Sequence, residues 1–81
     1  MNEQLESKIE NLISKASSNI ERTQSNSGME PIFFERGEVS MSDREQINLM
    51  IEDASCNLDG WYFNAKWSLN RSGLELQYFK F

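Results

Sequence analysis

Residues 61–81 run Trp61-Tyr62-Phe63-Asn64-Ala65-Lys66-Trp67-Ser68-Leu69, then Asn70-Arg71-Ser72-Gly73, then Leu74-Glu75-Leu76-Gln77-Tyr78-Phe79-Lys80-Phe81. In the first segment Trp61, Phe63, Ala65, Trp67 and Leu69 alternate with Tyr62, Asn64, Lys66 and Ser68, a period of two. That is the signature of a strand with one buried face. The middle segment has the composition of a turn. In the third, Leu74, Leu76 and Tyr78 alternate with Glu75, Gln77 and Phe79. The stretch therefore predicts a β-hairpin. Near its end both faces turn apolar, which marks either a central strand or an exposed binding patch.

A lone hairpin is marginal in water, so the remaining chain must supply more strands and a cover. Residues 2–24 predict a helix, because Leu5, Ile9, Leu12, Ile13, Ala16 and Ile20 recur on one stripe. Glu3 and Glu6 lie near its start and Arg22 near its end, as the helix dipole favours. The Ser-Asn-Ser-Gly-Met-Glu-Pro run at 25–31 predicts a stop, with Gly28 in a left-handed cap and Pro31 forcing Glu30 out of helix. Ile32-Phe33-Phe34 reads as a short strand, Glu35–Glu38 as a turn and Val39-Ser40-Met41 as a second short strand. Ser42-Asp43-Arg44-Glu45 has the form of a capping box, opening a helix to about Cys56 with Ile47, Met50, Ile51 and Ala54 inward. Asn57-Leu58-Asp59-Gly60 ends it, with Gly60 free to take positive φ. The order predicts an α+β fold: two helices on one face of a small antiparallel sheet of three to four strands, ending in a β-hairpin.

The length, 81 residues, predicts one domain spanning 1–81. A chain this short buries about 60–65% of its unfolded surface, so its core is thin, and its nine aromatics can supply what the aliphatics alone would leave small. No run approaches the ~20 apolar residues of a membrane span. The polar, acidic start is unlike a signal peptide, and Cys56 is the single cysteine, so the expected compartment is cytoplasmic.

Most catalytic classes have no material here. With no histidine and one thiol, the Ser–His–Asp arrangement is impossible, and zinc and Cys–His nucleophilic sites are nearly closed off. Glu52 and Asp53 are neighbours on a helix and diverge by about 100°, so they make no dyad. No glycine-rich loop leads from strand to helix, and no EF-hand spacing is present. The expectation is a non-enzyme without cofactor or metal.

Charge is unevenly spread. Residues 1–40 hold seven acids and four bases, residues 41–60 five acids and one base, and residues 61–81 one acid and three bases, for a net charge of −5. The second helix is acidic beside a mildly basic aromatic hairpin. These features predict a small acidic module that binds another protein with a basic surface and occludes it. Size, acidity and lack of chemistry are those of small accessory proteins such as phage-encoded inhibitors and bacterial immunity proteins. Glu45, Glu52 and Asp53 would steer the encounter, and Tyr62, Phe79 and Phe81 would anchor the complex. Two alternatives remain: a single-stranded nucleic-acid binder that stacks bases on the hairpin and holds phosphates with Lys66, Arg71 and Lys80, or a homodimer paired through residues 5–20. Three bases against a net −5 make the nucleic acid the less expected partner.

Overall fold

The alternation at Leu74, Leu76 and Tyr78 fixes which side of the sheet is dry. In the computed structural model, which describes residues 1–22 and 24–81, these three are buried, at 2%, 0% and 5% exposure. They lie on β3 (Gly73–Lys80), the central strand of a three-stranded antiparallel sheet ordered β1-β3-β2, with β1 at Ser27–Phe33 and β2 at Trp61–Trp67. Two helices, α1 (Glu3–Arg22) and α2 (Met41–Cys56), supply the rest of the core. The α+β architecture, the C-terminal hairpin and the two helices on one face are as the sequence predicts, and the strand number is three.

Register places Phe63, Tyr78 and Gly28 in one row across the dry face. Ala65, Leu76 and Glu30 form the next row, and Trp67, Leu74 and Ile32 the third. From α1, Leu5, Ile9, Leu12 and Ala16 are buried against this face, and from α2, Ile47 and Ile51. Met50 and Ala54 of the expected inward stripe are half-buried, as are Ile13 and Ile20 of α1. The stripe at residues 5–20 is thus largely taken up by the chain's own sheet. Trp61 and Trp67 sit half-buried at the core's margin rather than inside it. Trp67 stacks on Phe34 at 6.0 Å, and its Nε1 donates to Asn48 Oδ1 on α2 at 2.7 Å.

Several local expectations are corrected. The first helix spans 3–22 rather than 2–24, with Asn2 Oδ1 accepting from the Leu5 N–H at its start; residue 23 lies outside the described residues. Residues 27–31 are the first five of the seven residues of β1 and not a helix stop, and Gly28 is not in a left-handed conformation. Its role is space: a Cβ there would stand 2.5 Å from the Tyr78 ring. Pro31 is tolerated because β1 is an edge strand, and the neighbouring bonds from Lys80 N to Asn26 O and from Phe34 N to Ser72 O show that even-numbered residues face β3. The missing N–H of Pro31 therefore points outward, where no ladder bond is lost. Glu30 faces the helices, where Asn19 Nδ2 donates to it and Lys15 pairs with it at 3.8 Å, compensating the half-buried charge.

Val39–Met41 is not a strand. Val39 is buried, Ser40 is the N-cap of α2, and the capping box is Ser40 with Asp43 rather than Ser42 with Glu45. The sequence holds two overlapping boxes, and burial of Val39 selects the earlier. Helix α2 ends at Cys56 and Gly60 has φ +80°, both as expected. Strand β2 stops at Trp67. Ser68 and Leu69 join the turn, where Arg71 takes positive φ (58°).

The Gly28–Tyr78 contact gives a sign that can be read. In a strand, Gly→Ala ordinarily stabilises by about 0.4–1 kcal/mol through the unfolded state. Under the Tyr78 ring, Gly28→Ala is expected to destabilise instead, by about 1–3 kcal/mol, from overpacking. Urea unfolding reads the difference; a raised midpoint contradicts the packing described.

Candidate functional site

Both helices lie on one side of the sheet, so among the described residues its other side is bare. Alternation sends Tyr62, Asn64 and Lys66 of β2, Glu75, Gln77 and Phe79 of β3, and Met29, Pro31 and Phe33 of β1 to that side. Tyr62 and Phe79 are directly opposed in the register, and the Tyr62 and Phe81 rings lie 6.3 Å apart. Tyr62, Phe79 and Phe81, at 46%, 42% and 87% exposure, thus form one aromatic patch at one end of the bare face. Met29 lies beside it, and Phe33, at 75%, stands at the other end against Gly73. Between the ends run the polar pairs Asn64–Gln77 and Lys66–Glu75.

The acidic candidates are not all brought there. Glu45, Glu52 and Asp53 are exposed on α2, behind the sheet. Glu52 alone reaches a groove of about 720 Å³ between α2 and the outer edge of β2, which it lines together with Tyr62 and Phe81. Glu45 and Asp53 do not line it. Arg44, Asn48, Glu52 and Ser55 of α2 form its helical wall, one residue per turn, and Arg44 lies 5.9 Å from the Trp67 ring. Sequence reading missed this groove. Its signal was the spacing Arg44, Asn48, Glu52, Cys56, a four-residue row on a single helix face.

The three bases of the hairpin are not gathered. Lys66 is on the bare face opposite Glu75. Lys80 is opposite Trp61, on the helix side. Arg71 turns back onto the loop before α2, its Nε donating to Val39 O at 3.1 Å. Among the described residues no three Cys, Asp or Glu side chains come together as a cation site, and no helix is long and apolar enough to cross a membrane.

Two carboxylates are held below their ordinary range, and structural contacts explain both. The Glu35 backbone N–H donates to Glu38 Oε1 at 2.8 Å, and Lys8 Nζ lies 3.2 Å from the same carboxylate. The Ser40 backbone N–H donates to Asp43 Oδ2 within the capping box. Both brace the 35–43 connection. Compared with protein-family models, curated proteins and solved structures, the chain finds no match.

A carboxylate whose folded pKa is depressed contributes stability above its unfolded pKa and loses it as pH falls through the folded value. Glu38 and Asp43 are therefore expected to make the melting temperature fall as the pH drops below their ordinary values of 4.5 and 3.8. Melting followed by circular dichroism should show a shallower acid decline for Glu38→Gln with Asp43→Ala. An unchanged decline would place the acid sensitivity elsewhere.

Proposed function

We propose that the chain is a non-catalytic protein-binding module that occludes a surface of its partner through the bare face of the sheet. The observation that carries this reading is the patch of Tyr62, Phe79 and Phe81 on a face that no element among the described residues covers. Aromatic side chains in one patch are the usual anchors of protein interfaces, and a polar surround such as Asn64, Gln77, Lys66 and Glu75 is the usual rim. The net charge of −5, concentrated in α2, favours a partner with a basic surface and raises the encounter rate at low salt. The aromatics and most of the α2 acids face different ways, so steering and anchoring are separate tasks. An inhibitor of the phage or immunity kind is one protein of this description, and the cytoplasm is its expected compartment.

Base stacking on the same aromatics is the weaker reading, because Lys66 alone of the three hairpin bases shares their face. Pairing of two copies through residues 5–20 is weaker too, because Leu5, Ile9, Leu12 and Ala16 are buried under the sheet.

A photo-crosslinking residue at Phe79 separates these readings in the source lysate. Adducts with protein that survive nuclease, and that weaken when Tyr62 and Phe81 are changed to Ser, are the expected result. Adducts with nucleic acid only would overturn the proposal.

A further inference from the structure

The two edges of the sheet differ. On β1 the outward backbone positions are 27, 29, 31 and 33, and Pro31 removes a donor from the middle of that row. Edges blunted in this way do not accept another strand. On β2 the bonds from Ser68 N to Gly73 O and from Phe81 N to Gly60 O show that even-numbered positions face β3. The N–H and C=O groups of Trp61, Phe63, Ala65 and Trp67 therefore point outward. Ser55 Oγ accepts from the Phe63 N–H at 3.0 Å, as a strand carbonyl would. Among the described residues, Ala65 and Trp67 have no such substitute for their N–H or C=O groups.

We propose that the α2–β2 groove takes an extended peptide segment of the partner protein, added as a fourth strand antiparallel to β2 from Trp67 to Phe63. This deepens the protein-binding reading and rests on it. Strand addition supplies affinity through backbone bonds and specificity through alternate side chains. The helix-facing side chains of the added strand would meet a defined order of chemistry. Arg44 stands beside Trp67, and Ala65 leaves a notch between the larger Trp67 and Phe63. Glu52 stands towards the Phe63 end, one turn before Ser55. Neither Arg44 nor Glu52 has an ion-pair partner among the described residues. They are eight residues apart, about 12 Å along the helix, which matches four residues of strand at about 13 Å. The segment that fits is acid–x–apolar–x–base, read from the Trp67 end.

A second copy does not fit the same edge. Helix α2 lies under β2, tied to it at Ser55–Phe63 and Asn48–Trp67. Edge-to-edge pairing of two β2 strands, about 4.8 Å apart, would bring the two α2 axes well inside the 8–10 Å that packed helices need.

The probe is a blocked heptapeptide, Thr-Glu-Thr-Leu-Thr-Arg-Thr, titrated against the labelled protein and followed by amide NMR. Micromolar to submillimolar binding is expected, with the largest shifts at Ala65 and Trp67. Ala65→Pro copies the Pro31 device onto β2 and should abolish binding. Methylating the peptide leucine nitrogen, whose N–H faces β2, should do the same with the protein untouched, whereas methylating a neighbouring threonine nitrogen should not. Arg44→Glu should weaken the peptide about tenfold, and exchanging the peptide glutamate for lysine should restore it. No binding at 1 mM (about 4 kcal/mol), or binding indifferent to which nitrogen is methylated, overturns the proposal. So does a dimer that Ala65→Pro dissolves, which assigns the edge to a second copy. If Phe79 still crosslinks to protein in those cases, the protein-binding reading stands and only strand addition falls.

Discussion

Strand β3 is hydrogen-bonded along both edges, and the rest of the fold hangs on that. Its alternation sends Leu74, Leu76 and Tyr78 under two helices and Glu75, Gln77 and Phe79 to the opposite side. A slip of one residue against either neighbour would reverse every side chain, so the dry face fixes the register. Among the described residues the two helices cover one side of the sheet and leave the other bare. The bare side and the unpaired edge of β2 follow from this shortage of cover. The reading of the protein as a binding module starts from those two surfaces.

The division of labour among aromatics follows the same rule. Phe63 and Tyr78 meet edge-on at 6.5 Å in the core, and Trp61 tilts against Tyr78 at 6.1 Å. Phe34 and Trp67 close the opposite end by stacking. Tyr62 and Phe79 differ from these in parity along their strands, not in chemistry, and Phe81 follows the end of β3 with its ring against Tyr62. Gly28 belongs to the same arrangement, since the Tyr78 ring occupies the space a side chain would need.

Much of this was legible in the sequence because it is periodic. The stripe Leu5, Ile9, Leu12, Ala16 gave α1, the alternation over 61–67 and 74–78 gave the hairpin, and Gly60 marked the end of α2. For Tyr62, Phe79 and Phe81 the sequence leaves core and interface both open, and their exposure follows only once Leu74, Leu76 and Tyr78 are seen to fill the core. Most of what failed depended on contacts far apart in the chain. The start of β1 reads as a loop because it contains Gly28, Glu30 and Pro31. Each is made tolerable by a distant partner or by its place at an edge: the Tyr78 ring, the pair Lys15 and Asn19, and the solvent side of β1. The α2 cap was misplaced by two residues because Ser40–Asp43 and Ser42–Glu45 satisfy the same local rule. The groove was missed because a helix row and a strand edge acquire meaning only when packed side by side.

The account turns on the β2 edge being open while the β2–β3 ladder is closed, and amide hydrogen exchange along β2 reads both at once. The N–H groups of Tyr62, Asn64 and Lys66 face β3 and are expected to be protected. Phe63, capped by Ser55, should be intermediate. Ala65 and Trp67 should exchange fastest, giving an alternation along the strand. Uniform protection from Tyr62 to Trp67 would mean that the edge is already covered, and would contradict the account.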